Sequence, residues 1–153
     1  MQVTDIAEAG AIDPSDFDAV IVGASVHSGH HQRAIVDWVK RHHGSLSTIP
    51  SGFFSVSLTA ADDTEDSRRA TRQYLDDFAD ETGWTPRHTV SIAGALRYRE
   101  YDFVTRLAMR LIAKRGHRPT DVERDYECTD WEAVDRFAEV FATSRDRSGT
   151  PVP

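Results

Sequence analysis

The chain has 153 residues, 39% hydrophobic and 28% charged, the proportions of a soluble globular domain large enough for one well-buried core. A formal charge of −7 argues against nucleic acid as a partner, because phosphates repel the chain as a whole, and a single cysteine, Cys128, excludes an intramolecular disulfide or a cysteine-based metal cluster. The start, MQVTDIAEAG, has neither a basic opening nor an apolar run, and no stretch nears the ~20 apolar residues that span a bilayer, so a cytoplasmic setting is expected.

Strand and helix signals then alternate, the pattern of an α/β domain with a parallel sheet. Residues 17–23 (FDAVIVG) read as a strand buried on both faces. Ala34, Ile35, Trp38 and Val39 place an amphipathic helix over 32–43, with Gly44 as its stop. Residues 52–60 (GFFSVSLTA) form the next strand. A helix follows with Tyr74, Leu75, Phe78 and Ala79 inward and Gly83 at its end. A third strand covers 88–96 (HTVSIAGAL).

The segment 97–118, RYREYDFVTRLAMRLIAKRGHR, departs from the acidic average: it holds seven Arg or Lys against two acids, where the rest holds eleven against twenty-three. At helical spacing Phe103, Leu107 and Leu111 share an apolar face, with Arg106 and Arg110 on another. A basic amphipathic helix of this kind lies on an anionic membrane surface or binds an acidic partner, or else covers core as an ordinary surface helix. The last helix opens on a capping box, Thr129-Asp130-Trp131-Glu132, and carries Trp131, Val134, Phe137, Ala138 and Phe141 as its core stripe. Residues 144–153 read as a disordered tail after a single domain, 1–143.

In open parallel sheets ligands sit beyond the carboxyl ends of the strands. Segments 25–31, 58–62 and 94–98 fall there. Gly23, Ala24 and Gly29 keep bulk low enough for a planar ligand to approach the backbone; Ser25, Ser28, Ser57 and Thr59 offer hydrogen bonds, and His27 or His30 a flat face. That composition suits a flavin or a similar aromatic cofactor. Small residues also serve tight strand-to-helix turns, and the two readings stay open at this point. His27, His30 and His31 lack the ligand count of a zinc site, so no metal is expected. His42 and His43 read as favourable charge near a helix C-terminus. No Gly-x-Ser-x-Gly elbow and no phosphate loop occurs, and no residue is singled out as catalytic.

Three blocks carry a more specific signal: V-x-G-A-S at Val22 to Ser25, I-A-G-A-L-R-Y at Ile92 to Tyr98, and T-D-W-E at Thr129 to Glu132. With them, most of the chain resembles the flavodoxin-like, menaquinone-dependent protoporphyrinogen oxidases (protoporphyrinogen IX dehydrogenases). The resemblance implies a three-layer α/β sandwich with a parallel sheet and a basic helical insert, 97–118, interrupting the last strand. It implies FMN as cofactor, protoporphyrinogen IX as substrate and a membrane quinone as electron acceptor, in a cytoplasmic protein held peripherally at the inner face of the membrane. Ser25, Val26, His27, Ser28, Gly29 and His30 would then flank the flavin ring on one side and Ser57, Leu58, Thr59 and Ala60 on another, with Gly94 and Ala95 beneath. Arg97, Arg99, Arg106 and Arg110 would meet substrate propionates and Tyr98 the substrate or the membrane, while Phe103, Leu107 and Leu111 meet the membrane.

Flavodoxin-like proteins open with a strand, a Ser/Thr-rich turn and a helix N-terminus that hold the FMN phosphate. Here MQVTDIAEAGAIDPSDF looks like the second strand and its loop, so the first strand and first helix are expected to be missing. The expectation allows three arrangements: an internal methionine as the start, a strand supplied by another chain in a homo-oligomer, or direct pairing of the second strand with the third. The alternatives to the enzyme are a flavodoxin-like electron-transfer protein and an FMN-free binding or assembly module.

Overall fold

The computed structural model describes residues 2–94 and 130–148. Strand β1 (Val20–His27) turns back into the short β2 (His30–His31) and is followed by helix α1 (Arg33–Thr48), strand β3 (Ser51–Ser57), helix α2 (Glu65–Thr82), strand β4 (His88–Ala93) and helix α3 (Trp131–Ser148). The sheet order is β2-β1-β3-β4, with β1, β3 and β4 parallel and β2 antiparallel to β1. The crossovers α1 and α2 cover one face of the sheet and α3 the other, giving the expected three-layer α/β architecture.

The alternation of side chains along β3 builds two cores at once. Phe53 faces α1 and α2, where it stacks on Phe78 with ring centroids 4.0 Å apart, and Trp84 meets both edge-on. Val22, Ala24, Ile35, Trp38, Val39 and Leu46 complete that cluster. Phe54 faces the other way, with Ile92 and Val134. The α3 stripe falls as its spacing predicts: Val134, Phe137, Ala138 and Phe141 are buried and Trp131 half-buried. Trp84 is fully buried, and its indole N–H finds no partner among the described residues.

Several boundaries differ from the sequence reading. β1 runs to His27 rather than ending at Gly23. Helix α1 passes through Gly44 to Thr48, because Leu46 is fully buried two residues further on and its packing outweighs the roughly 1 kcal/mol helix penalty of an exposed glycine. β3 stops at Ser57 instead of continuing to Ala60: Thr59–Ala61 form a 3-10 turn, and Leu58 is exposed. Helix α3 extends to Ser148, so residues 144–148 continue the helix that the tail reading had ended at Thr143. The capping threonine Thr129 lies outside the described residues; Asp130 Oδ1 accepts the Ala133 N–H at 3.0 Å and caps the helix from the next position.

The opening segment also departs from expectation. Residues 2–19 hold no strand; they form two 3-10 turns, Ala9–Ala11 and Pro14–Asp16. Ile6, Ala9 and Ile12 pack against the α1 and α2 core, and the Trp38 indole donates to the Ala9 carbonyl at 3.0 Å. Direct pairing of a second strand with the third is therefore not what the structure shows. Among the described residues, only β2 pairs with the far edge of β1, and only at Val26 and His27; from Val20 to Ser25 that edge meets no strand.

Candidate functional site

Parallel pairing brings the carboxyl ends of β1, β3 and β4 to one edge of the sheet. Ser25 lies opposite Val56, and Ser57 opposite Ala93, so Ser25, Ser57 and Gly94 succeed one another across that edge. The first wall is a hairpin rather than the expected loop. Ser25, Val26 and His27 belong to β1, Ser28 and Gly29 make the turn, and His30 opens β2. Both turn residues have positive φ, 52° and 82°, the signature of a two-residue turn whose twist matches that of the flanking strands. Glycine supplies one of the two at no steric cost, and a side chain there would meet nothing within 4 Å.

The hairpin divides its imidazoles between two faces. His27 and His30 are exposed and directly opposite one another, and Ser25 Oγ lies 2.9 Å from His27 Nε2. His31 turns to the α2 side. Its Nε2 shares a 2.8 Å hydrogen bond with Ser55 Oγ, and its ring lies edge-on to Phe53 and Phe78, at 5.5 and 5.0 Å. Burial pushes the His31 imidazole down to about 4, against a weaker upward pull from Glu81 and Asp77. Gln32 closes the hairpin: its N–H donates to the Ser25 carbonyl at 3.2 Å and its Oε1 accepts the Ser25 N–H at 3.4 Å.

The second wall is the turn after β3. Ser57 Oγ accepts the Ala60 N–H at 3.2 Å, so this nearly buried hydroxyl shapes the turn it ends. Thr59 Oγ1 and Tyr74 Oη are 3.5 Å apart. Leu58 is 53% exposed, a large apolar side chain standing clear at the edge where a ligand would bind. The floor is Gly94, whose N–H donates to the Ser57 carbonyl at 3.2 Å; a Cβ there would come within 2.6 Å of Val56 Cγ1. Ala95, Arg97, Tyr98, Arg99, Phe103, Arg106, Leu107, Arg110 and Leu111 lie outside the described residues.

The ring side of a flavin fits this arrangement: backbone of low bulk, hydroxyls on two walls, and one exposed apolar side chain. Residues 2–19 themselves form two 3-10 turns and offer no strand, Ser/Thr-rich turn and helix N-terminus of the kind that holds a flavin phosphate. Among the described residues, no group of three or more His, Cys, Asp or Glu is placed to hold a metal ion, and no helix is long and apolar enough to cross a membrane. A groove of about 500 Å³ between β4 and α3, lined by Arg87, His88, Val90, Arg136, Phe137 and Val140 among others, involves the amino-terminal half of β4, away from this edge.

The sequence reading weighs His31 only as a metal ligand and does not single out Gln32 or Ser55. The Ser-Gly pair at 28–29, with histidines on both sides, was the available hairpin signal. The contact of His31 with Ser55 spans 24 positions and had no local sign.

Comparison with known proteins adds a second line of argument. The flavodoxin domain family matches residues 1–123. A Leishmania major protein named protoporphyrinogen IX dehydrogenase (quinone) is 38% identical over 140 residues, 92% of this chain and 60% of that protein. The protein of the same name from Escherichia coli strain K12 is 36% identical over 132 residues, 86% of this chain and 72% of its own length. The chain thus spans about three fifths of the Leishmania relative. No solved structure matches it.

Proposed function

The chain belongs to the flavodoxin-like protoporphyrinogen IX dehydrogenase family, and from that membership we propose that it oxidises protoporphyrinogen IX to protoporphyrin IX with FMN as cofactor and a membrane quinone, menaquinone, as acceptor. The observation that carries the reading is the carboxyl edge of the sheet, where hairpin, Leu58 turn and Gly94 make a cradle of small and hydroxylic residues on the fold of a flavodoxin domain.

In this reading Ser25, Val26, His27, Ser28, Gly29 and His30 form one wall for the flavin ring, Ser57 to Ala60 the other, and Gly94 the floor, with Ala95 assigned to the same site from the sequence. When bound, the flavin supplies a two-electron acceptor that passes reducing equivalents from substrate to quinone. The protein's own contribution is placement. The hairpin and the Leu58 turn would hold the flavin between them, and low bulk at Gly29 and Gly94 would let backbone N–H and C=O groups approach it. Arg97, Arg99, Arg106 and Arg110 attract the substrate's propionates, and Tyr98 meets the substrate or the membrane. Phe103, Leu107 and Leu111 rest at the membrane interface, which brings the chain to its quinone from the cytoplasmic face. These insert roles rest on the sequence pattern.

A second reading is a binding or assembly module derived from this fold. One titration separates them. FMN added to the purified chain is expected to show a shifted visible spectrum, and protoporphyrinogen with menaquinone a gain of porphyrin fluorescence. Flavin binding without porphyrin formation points to an electron-transfer protein. Absence of both overturns the enzyme reading for this chain.

A further inference from the structure

The three hairpin imidazoles divide into two that face outward and one that ties the hairpin to the rest of the fold. His31 is paired to Val26 in the hairpin ladder, hydrogen-bonded to the fully buried Ser55 of β3, and set edge-on against Phe53 of β3 and Phe78 of α2. Its ring therefore meets two elements, β3 and α2, while its backbone pairs with β1, whereas His30, its neighbour in β2, is exposed. We propose that His31 is a positioning residue, a latch whose neutral imidazole holds the cofactor-side hairpin against β3 and α2 and whose protonation frees it. The proposal deepens the flavin reading, on which the hairpin's role as a wall rests.

The charged groups around the latch decide its response to pH. Phe53 and Ser55 face it from β3, Val26 from β1, and Phe78 from α2, none of them charged. Asp77 and Glu81 of α2 are the acids near enough to favour a proton. Both are otherwise engaged: Glu81 Oε1 lies 3.4 Å from Arg33 and 3.3 Å from Lys40, and Asp77 Oδ1 accepts from Gln73 at 2.7 Å. Arg33 and Lys40 of α1 add positive charge on that side. Both acids favour the proton, but burial among apolar groups outweighs them, so the closed hairpin keeps the ring neutral. In the open hairpin the imidazole returns to its ordinary affinity for protons. Acid thus favours opening.

The test reads the hairpin directly. In the full chain without added cofactor, amide protection of Val26 to Gln32 is expected to fall by about tenfold or more between pH 7.5 and 5, while amides in the centre of β3 keep theirs. His31→Gln, which keeps an amide within reach of Ser55 but does not titrate, should flatten that dependence to within about twofold. His31→Phe serves as a second non-titrating variant should the first fold poorly. Equal protection across the pH range in the wild-type chain, or an unchanged dependence in both variants, overturns the latch. An FMN titration at pH 7.5 is the companion measurement: His31→Ala should weaken binding about tenfold and His31→Gln restore most of it. If His31→Ala binds FMN as tightly as wild type, the positioning role falls. If no form binds FMN at any pH, the flavin reading falls and the exchange data alone judge the latch.

Discussion

The two faces of the sheet are filled differently. On the α1 and α2 side, three large aromatic rings, Phe53, Phe78 and Trp84, interlock with Trp38, Val39 and Leu46, and residues 6–12 seal the margin. On the α3 side the buried cluster is smaller: Phe54, Ile92 and Val134, with Ile21, Val56, Val90 and Trp131 only partly covered. The Phe54 ring lies across β1 so closely that a Cβ on Gly23 would sit 2.0 Å from its Cζ. Phe137 and Phe141 close over Gly52 in the same way. One face is held by ring against ring, the other by ring against glycine. The first should therefore be most sensitive to losing bulk and the second to gaining it.

Phe78→Ala tests the first half of that contrast and should have the largest effect. It removes the partner of a stack at 4.0 Å and one of the two rings flanking His31, leaving a cavity in the larger core. A loss of about 3–5 kcal/mol is expected in chemical denaturation. Gly23→Ala tests the second half. The added methyl must displace Phe54, itself 4% exposed, for an expected cost of about 1–3 kcal/mol. If it costs less than 0.5 kcal/mol, ring-on-glycine packing is not what closes the α3 side.

Acid comes next in size, through His31 on the first face. His31 is held below its ordinary value of 6.5, at about 4, so between those limits the unfolded chain binds the proton more readily than the folded one. Its contribution to stability is complete above about pH 6.5, shrinks as the pH falls toward 4 and levels off below. Because the ring is only partly buried, the effect should be smaller than either core substitution. Denaturation midpoints of wild type and His31→Gln should therefore converge as the pH is lowered through that window. Parallel curves would show that His31 titrates normally in the fold.

The contrast between faces also marks what was legible in the sequence. Strands and helices in alternation, the three strand ends at one edge and the α3 stripe all follow from local period and order, and they emerge in the structure as read. What stayed hidden depends on partners far along the chain. Gly44 looked like a helix stop because nothing local announces that Leu46 is buried. Val26 and His27 looked like loop because small and polar neighbours mask a strand whose register is set by positive φ at Ser28 and Gly29. Residues 2–19 looked like a strand and its loop, yet their apolar side chains serve better packed on α1 than alternating in a sheet. At the site, the positions came from topology, whereas the His31–Ser55 link required the fold itself.

The smallest expected effect sharpens the comparison from the side of charge. Arg136 of α3 lies 3.4 Å from Glu132 and 3.8 Å from Asp130, and all three side chains are well exposed. Exposed pairs of this kind gain little in water, since screening and the loss of side-chain freedom offset the attraction. If α3 is held to the sheet by Val134, Phe137 and Phe141 seated over β3 and β4, then Arg136→Gln should change stability by no more than about 0.5 kcal/mol, and high salt should leave the wild-type midpoint nearly unmoved on this account. A loss above 1 kcal/mol in the denaturation midpoint analysis would mean that the α3 face relies on charge where the α1 and α2 face relies on packing. The two sides of the sheet would then differ in the kind of force that holds them, and not only in how tightly rings and glycines meet.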